Sequence, residues 1–515
     1  MVKEQDAVIA FLATPGTFGD GGPVDRVETH GAIVFLCGDE ALKLKRAVTY
    51  DYMDFGTPGQ RRRFLLREID LNRAAAPSIY RDVVPVTRDA RGRLALNGAG
   101  TPVDWVLRMR RFSPEDELEA IAARGALDDA LAGALGHGLA AYHAAAPLRD
   151  SPGARLIGDI LDELERVFTG LADDPSRQAE LRWLAAARAR WAADRTQLDR
   201  RGCDGWVRRG HGDLHLGNLV VIDGAPVPFD ALEFDETLGT CDLLYDLGFL
   251  LMDLCHRDLR RAACRVLDAW LAAFDGAQDA GLGLLPLFLS VRAAIRAMVL
   301  LQTDRARAAG PSAGPDHAAE AARYLDEALA FLAPPAPVLL AVGGFSGSGK
   351  SRLARALAPH LGAAPGAVWL ASDVLRKAGR DPVAALPGAA YAPAARQAVY
   401  AAMRARATAV LTAGHSAILD ATFLDPQERD RARALADTLG VAFSGLWLDA
   451  PETVLRQRIA SRRGDPSDAG ISVLEQQLAK GTGALDWHRI DATASDTDLV
   501  QAALSVTRPP ATPGR

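Results

Sequence analysis

Cysteine is scarce in this chain. There are five in 515 residues, Cys37, Cys203, Cys241, Cys255 and Cys264, an odd number with no CxxC pair among them. That argues against a disulfide framework and against a cysteine zinc site, and it fits a reducing cytoplasm. An excess of positive charge is also missing. With 59 basic against 65 acidic residues, no global field recruits nucleic acid or an anionic membrane, so any polyanion site must be local. No uninterrupted apolar run reaches membrane-spanning length, and even "LLYDLGFLLMDLC" contains aspartates. The opening "MVKEQDAVIAFLATPGTFGDGG" has one basic residue, acidic neighbours and a short apolar patch, and is expected to be a poor signal peptide. No internal repeat is visible, so the halves are not duplicates.

What is present is a globular composition, 49% hydrophobic and 24% charged, in a chain long enough for about three domains. The clearest punctuation is "APPAP", Ala333 to Pro337, between a helical pattern and the apolar run "VLLAVGG". Proline cannot continue the helix and pushes the preceding residues to extended conformations. Upstream, "AIVFLCG", "EALKLK" and "DWVLRM" read as strands around one helix-like stretch, "PGQRRRFLLREIDLNRAAAP", and residues 115–200 are helical in pattern. Downstream, "VLLAVGG", "AVWLAS", "SAILDAT", "VAFSGLWLD" and the weaker "HRIDA" alternate with helices, as in a parallel sheet covered on both faces. The expected division is a β-rich lobe over 1–112, a helical lobe over 113–332 and an α/β domain over 338–515. The fold class is therefore α+β followed by α/β.

"HGDLHLGN", His211 to Asn218, precedes "NLVVID-GAPVPFD", read as a hairpin with Asp223-Gly224 at its turn and Asp230 at its end. A hydroxyl attacking a γ-phosphate needs a carboxylate to take its proton, and magnesium needs oxygen ligands beside the phosphates. Asp213, Asn218 and Asp230 supply those parts. The alternatives are a polar turn with capping aspartates, or zinc on His211 and His215. Against zinc stand the intervening Gly212 and the lack of a third nearby ligand. The pattern H-G-D-x-H-x-x-N followed by a strand ending in aspartate resembles the aminoglycoside phosphotransferase and choline kinase-like families, relatives of protein kinases. The resemblance implies Asp213 as catalytic base and Asn218 and Asp230 as magnesium ligands, with His211 bracing the loop and Asp242 and Asp246 structural. It also demands a strand lysine for the α/β-phosphates and a helix glutamate to hold it. Lys43 and Lys45 in "EALKLKR" face the same side by alternation; Lys43 is favoured, with Glu68 as its partner. Met109 to Phe112 would form the hinge beside adenine. One departure is the missing G-x-G-x-x-G near "ETHGAIV".

A second phosphate motif follows the boundary. "GGFSGSGKS" contains G-x-x-x-x-G-K-S between a strand and the helix "SRLARALAPHL", the context this motif requires. Gly344, Ser346, Gly347, Ser348 and Gly349 let backbone amides wrap phosphate, Lys350 reaches the β/γ-phosphates, and Ser351 reaches magnesium. Asp373 and Asp420 each end a strand, and Arg456, Arg458, Arg462 and Arg463 cluster on or beside one helix. Movable arginines of this kind neutralise a transferring phosphoryl group. This half resembles small P-loop kinases of the gluconate kinase, adenylate kinase and polynucleotide kinase type. By that resemblance Asp373 is the acceptor-side base, Asp420 a magnesium-side residue or a strand-end cap, and Arg458 and Arg462 part of a lid. Arg489 to Ser495 lies where such folds pass the adenine.

Together the motifs resemble bacterial fusions of an aminoglycoside phosphotransferase-like domain with a P-loop kinase-like ATP-binding domain: a bilobal protein kinase-like fold, then a P-loop NTPase fold. The resemblance implies ATP and Mg2+ as cofactors, a small hydroxylated acceptor as partner, and no membrane. Glu233, Asp235 and Glu236 in "PFDALEFDE" suit a cationic or polyhydroxyl acceptor, or are plain surface charge. Three readings follow: two kinase sites, one kinase with a regulatory ATP-binding module, or a P-loop domain acting on nucleic-acid ends. The acidic balance weighs against the last.

Overall fold

The structure, a computed structural model, describes residues 2–18, 22–29, 31–50, 53–170, 177–308, 317–377, 392–461 and 470–507. It divides into two compact units, Met1–Leu156 with Arg200–Leu250, and Ile157–Asp199 with Leu251–Arg515.

The first unit is built on a six-stranded antiparallel sheet in the spatial order Asp25–Glu28, Ala32–Cys37, Glu40–Lys45, Thr101–Arg110, Tyr80–Arg88, Leu94–Leu96. Alternation along Glu40–Lys45 sends Leu42 and Leu44 into a core with Val8, Leu12, Phe35, Val86 and Val106. It turns Lys43 and Lys45 to the other face. Lys43 pairs there with Leu107, which belongs to a second apolar cluster with Leu65 and Ile69. Those two residues come from the helix Pro58–Asn72. Its start is set by a capping box between Thr57 and Gln60 with proline in the first turn. The helix buries Arg61, Leu65, Glu68, Ile69 and Asn72, a single stripe at three- and four-residue spacing. One acid and one arginine thus lie on a buried face.

In this sheet the expected strands are present, and three of its six were not foreseen: Asp25–Glu28, Tyr80–Arg88 and Leu94–Leu96. Tyr80–Arg88 is interrupted by Pro85 and carries two register shifts, so its sequence lacks a clean strand signature. The hairpin is as expected. Leu219–Ile222 pairs with Ala225–Pro228, and Asp223 and Gly224 turn at φ 51° and 80°.

In the second unit a five-stranded parallel sheet runs Val368–Ala371, Ala417–Asp420, Val338–Gly344, Ala442–Asp449, His488–Asp491. All five expected strands are there. Leu340, Val342, Ile418, Leu446 and Leu448 form its core with Leu353 and Leu357. The compact units cut across the expected 332/338 division. The helix before the boundary does end at Leu332, and the strand begins at Val338. Yet Cys264, on the helix Arg260–Ala273, lies inside the core of this sheet, and Arg406 makes a bidentate pair with Asp279 at 2.7 and 2.8 Å. These contacts tie helices upstream of the boundary to the downstream sheet. Among the described residues one stretch, Asp279–Arg305, is long and apolar enough to cross a membrane, and 67% of its most apolar window is buried. Part of that burial is a hydrogen bond from Trp183 to Ser290 at 2.8 Å.

Arg61 donates to both oxygens of Asp104 at 2.8 Å, and both residues are buried. Asp104→Ala strands a buried guanidinium and should cost about 3–5 kcal/mol, measured by chemical denaturation. Removing the exposed partner of Arg166 by Glu163→Ala should change stability little.

Candidate functional site

In the first unit, five charged side chains from three parts of the chain alternate in sign. Asp230 accepts from Lys43 Nζ at 2.6 Å, and Lys43 reaches Glu68 at 2.8 Å. The other oxygen of Glu68 takes Lys45 at 2.8 Å, and Lys45 reaches Glu233 at 2.5 Å. Both candidate lysines therefore hold Glu68, and the difference between them is burial. The Lys45 and Glu233 side chains are 3% and 8% exposed, Lys43 is 11% exposed, and Asp230 at the outer end is 42% exposed. Burial pushes the Lys43 ammonium down, but the carboxylates of Asp230, Glu68 and Glu233 outweigh it and hold the group well above its ordinary value. Burial likewise pushes Asp230 up, and the charge of Lys43 overrides it, so the carboxyl sits below its usual value.

The loop carrying Asp213 is tied down on two sides. Asp246, fully buried, accepts from the backbone N–H of His211 at 2.7 Å and of Gly212 at 2.9 Å, and lies 3.2 Å from His143 Nε2. His211 Nε2 bonds the Phe229 carbonyl at 2.9 Å, and Leu232 N–H donates to the His211 carbonyl at 3.0 Å. The loop and the Asp230 segment are thus set relative to each other. Asn218 Nδ2 donates to the Asp213 carbonyl at 2.8 Å and to its carboxylate at 3.0 Å. That orients the acid. Asp230 itself has φ 60°, with its N–H donated to the Tyr80 hydroxyl at 2.9 Å. An aspartate tolerates that left-handed conformation better than most side chains.

His211 braces the loop, as the resemblance implied. His215 Nδ1 accepts from Gly217 N–H at 3.1 Å and His211 is held as above, so both rings serve the loop. Among the described residues, the group of ligand-type side chains close enough to hold a metal is Glu68, Asp230 and Glu233, with donor atoms within 4.8 Å of one another; neither histidine belongs to it. Glu233, Asp235 and Glu236, read either as acceptor-facing or as plain surface charge, all have partners within the protein. Glu233 is spent on Lys45, Glu236 on Arg67, Arg149 and Arg209, and Asp235 accepts from the N–H groups of Thr237 and Leu238. Asp242 makes a buried bidentate pair with Arg201, the structural role expected of it.

In the second unit the loop after Val338–Gly344 turns through glycines at φ 83° for Gly347 and 93° for Gly349. A Cβ on Gly347 would lie 2.7 Å from the Leu455 carbonyl, so no larger residue fits without a shift. Gly349 caps the helix Lys350–Leu357, whose amino terminus favours an anion. Lys350 Nζ bonds the Phe345 carbonyl at 3.0 Å. Ser346 is bracketed by Gln477, which accepts from its N–H and donates to its hydroxyl, both at 2.9 Å. The Ser348 hydroxyl is buried without a hydrogen-bond partner, a donor that suits a phosphate oxygen.

Asp420 lies behind the loop, bonded by the Ser351 hydroxyl and by Trp369 Nε1 at 3.0 Å. Asp373 pairs with Arg376 at 2.6 Å. Arg458 reaches the carbonyls of Ser348 at 3.4 Å and Ala492 at 2.8 Å, joining the loop to the segment expected near adenine. Arg456 instead pairs with Glu452 and Glu475 on the surface. Arg462 and Arg463 lie outside the described residues. Asp246 has the structural role expected of it, as anchor of the loop, whereas sequence reasoning missed Gln477 and Trp369, because each acts on a residue remote in the chain.

The first unit has a protein kinase-like fold, and the second contains a P-loop kinase-like fold. Residues 339–482 match a family model described as an AAA domain. The chain is 31% identical over 514 residues to uncharacterized proteins of Mycobacterium tuberculosis and Mycobacterium bovis, covering 94% of this chain and 95% of theirs. It belongs to the same family as those proteins. Among solved structures, a choline/ethanolamine kinase family protein from Mesorhizobium loti aligns with TM-score 0.38 and 17% identity over 64% of this chain and 95% of its own. A gluconokinase from Sinorhizobium meliloti aligns with TM-score 0.26 and 23% identity over 33% of this chain and 91% of its own.

Partial burial pushes the Glu236 carboxyl up, but hydrogen bonds from Arg149 and Arg67 and the charge of Arg209 outweigh it and bring the group down to about 2. A carboxyl depressed in the folded state stabilises the fold above its unfolded value of about 4.3, and that contribution is lost as pH falls toward the folded value. Half of the side chain is exposed, so screening reduces the effect. Denaturation of wild type and Glu236→Gln should show a modest gap at neutral pH that closes below about pH 4. A gap independent of pH would mean the arginines do not act through the charge.

Proposed function

We propose that this protein is an ATP-dependent phosphotransferase with two nucleotide sites, each transferring a γ-phosphate to a hydroxyl of a small polar metabolite in the cytoplasm. One observation carries the reading: each unit places a cation for phosphate beside oxygen donors of the kind magnesium prefers. In the first unit Asp213 takes the acceptor's proton, Asn218 and Asp230 hold Mg2+, and Lys43, braced by Glu68, meets the phosphates. Lys43 suits that role better than Lys45 because it sits toward the open end of the charge chain, next to the exposed Asp230. In the second unit the 344–349 loop and Lys350 cradle the phosphates, and Ser351 and Asp420 hold Mg2+. Asp373 serves the acceptor, and Arg458 with Arg462 closes over the site. Bound magnesium neutralises phosphate oxygens in both; the protein's own part is to orient the acceptor, supply the base and exclude water.

A regulatory reading of the P-loop half draws support from one contact. Asp373, the expected base, is engaged by Arg376. ATP consumption across a panel of sugars, nucleosides, amino alcohols and aminoglycosides decides between the two. Asp213→Ala should lower acceptor-dependent turnover on the order of 10²–10⁴-fold, as loss of a general base does. Lys350→Ala should abolish a separate phosphorylation step. If it only shifts the affinity or rate of the Asp213-dependent reaction, the P-loop half is a nucleotide sensor.

A further inference from the structure

Asp420 is 3% exposed at the end of the Ala417–Asp420 strand. A buried carboxylate that must present an oxygen to a cation needs its orientation held by a donor that does not compete for the cation. Trp369 Nε1 provides one, at 3.0 Å from Oδ2. Trp369 stands on the neighbouring strand Val368–Ala371, which is the edge of the sheet. Its own backbone N–H is donated to Asp268 Oδ1 at 3.0 Å, on the helix Arg260–Ala273. Two guanidinium groups lie against the indole. Arg265, from that same helix, is 5.4 Å from the ring centroid, and Arg355, from the helix that follows the phosphate loop, is 5.2 Å away. Arg355 Nε in turn donates to the Ser351 carbonyl at 3.1 Å. A phenylalanine would fill much of the same volume, but only the indole delivers an N–H to the carboxylate.

We propose that Trp369 is a positioning residue for Asp420, and that the helix Arg260–Ala273, through Asp268 and Arg265, is a working part of the P-loop cation site although it lies upstream of the sequence boundary at 333–337. The inference rests on the reading of Asp420 as a magnesium-side residue. It predicts that the 338–515 segment does not carry its whole cation site: one carboxylate and one arginine that fix Trp369 come from residues 265 and 268.

The test uses the full chain in a Lys43→Met background, so that nucleotide binding reports on the P-loop, and measures ADP affinity with and without Mg2+. Trp369→Phe should weaken Mg-ADP binding roughly tenfold, the effect of losing a hydrogen bond to a charged group, while leaving metal-free ADP binding unchanged. Asp268→Ala should shift the same quantity in the same direction by less. If that variant does not fold, Trp369→Phe answers alone. Equal loss of ADP affinity with and without Mg2+ would reduce Trp369 to a packing role and overturn the proposal, as would wild-type Mg-ADP binding. Asp420→Asn separates the two levels. If it leaves the magnesium dependence intact, the cation reading of Asp420 fails and this inference with it. If Asp420→Asn removes the dependence and Trp369→Phe does not, only the role of Trp369 is lost.

Discussion

A cation that is to meet phosphate away from bulk water must be kept charged before the phosphate arrives, and an unpaired buried charge costs far more than a fold can spare. The first unit meets this constraint with an alternating chain of two ammonium groups and three carboxylates, running from fully buried Glu68 outward to half-exposed Asp230. Much else follows from it. Glu68 has to lie on the buried stripe of its helix, so that helix must pack on the sheet face that carries the lysines. Asn72, four residues on, donates to the Glu68 carbonyl and accepts from Ala231, tying the helix to the Asp230 segment. The pair most exposed to solvent, Lys43 with Asp230, is the one that the proposed function assigns to the nucleotide and its metal.

The second unit answers the same constraint with neutral groups. Backbone amides, a buried serine hydroxyl and a helix terminus offer partial positive charge, and Lys350 bonds the Phe345 carbonyl. Such a site needs conformational freedom in the loop more than charge pairing, hence the left-handed glycines and the close approach of Leu455 to Gly347. Asp420, at the end of the adjoining strand, is held by an indole that is itself held from a helix upstream.

Legibility followed distance along the chain. "HGDLHLGN" and "GGFSGSGKS" each hold several interacting groups within nine residues, so spacing alone exposes them. The hairpin turn at Asp223-Gly224 and the five parallel strands were readable for the same reason, since turn chemistry and period-two patterns are local. Lys45 with Glu233, 188 residues apart, and Trp369 with Asp268, 101 apart, leave no spacing signal. The partners of Glu233 and Glu236 were not readable, because a run of acids looks alike whether it faces solvent or arginine. Tyr80–Arg88 stayed hidden behind Pro85.

The sequence by itself determined the two phosphate motifs, the candidate lysines and glutamate, and the order of elements, because each depends on residue type and short-range period. Tertiary structure decided which charges neutralise which, that both lysines share Glu68, and that helices before residue 333 belong to the compact unit of the P-loop sheet. Those outcomes depend on burial, and burial is set by chain segments that meet only after folding.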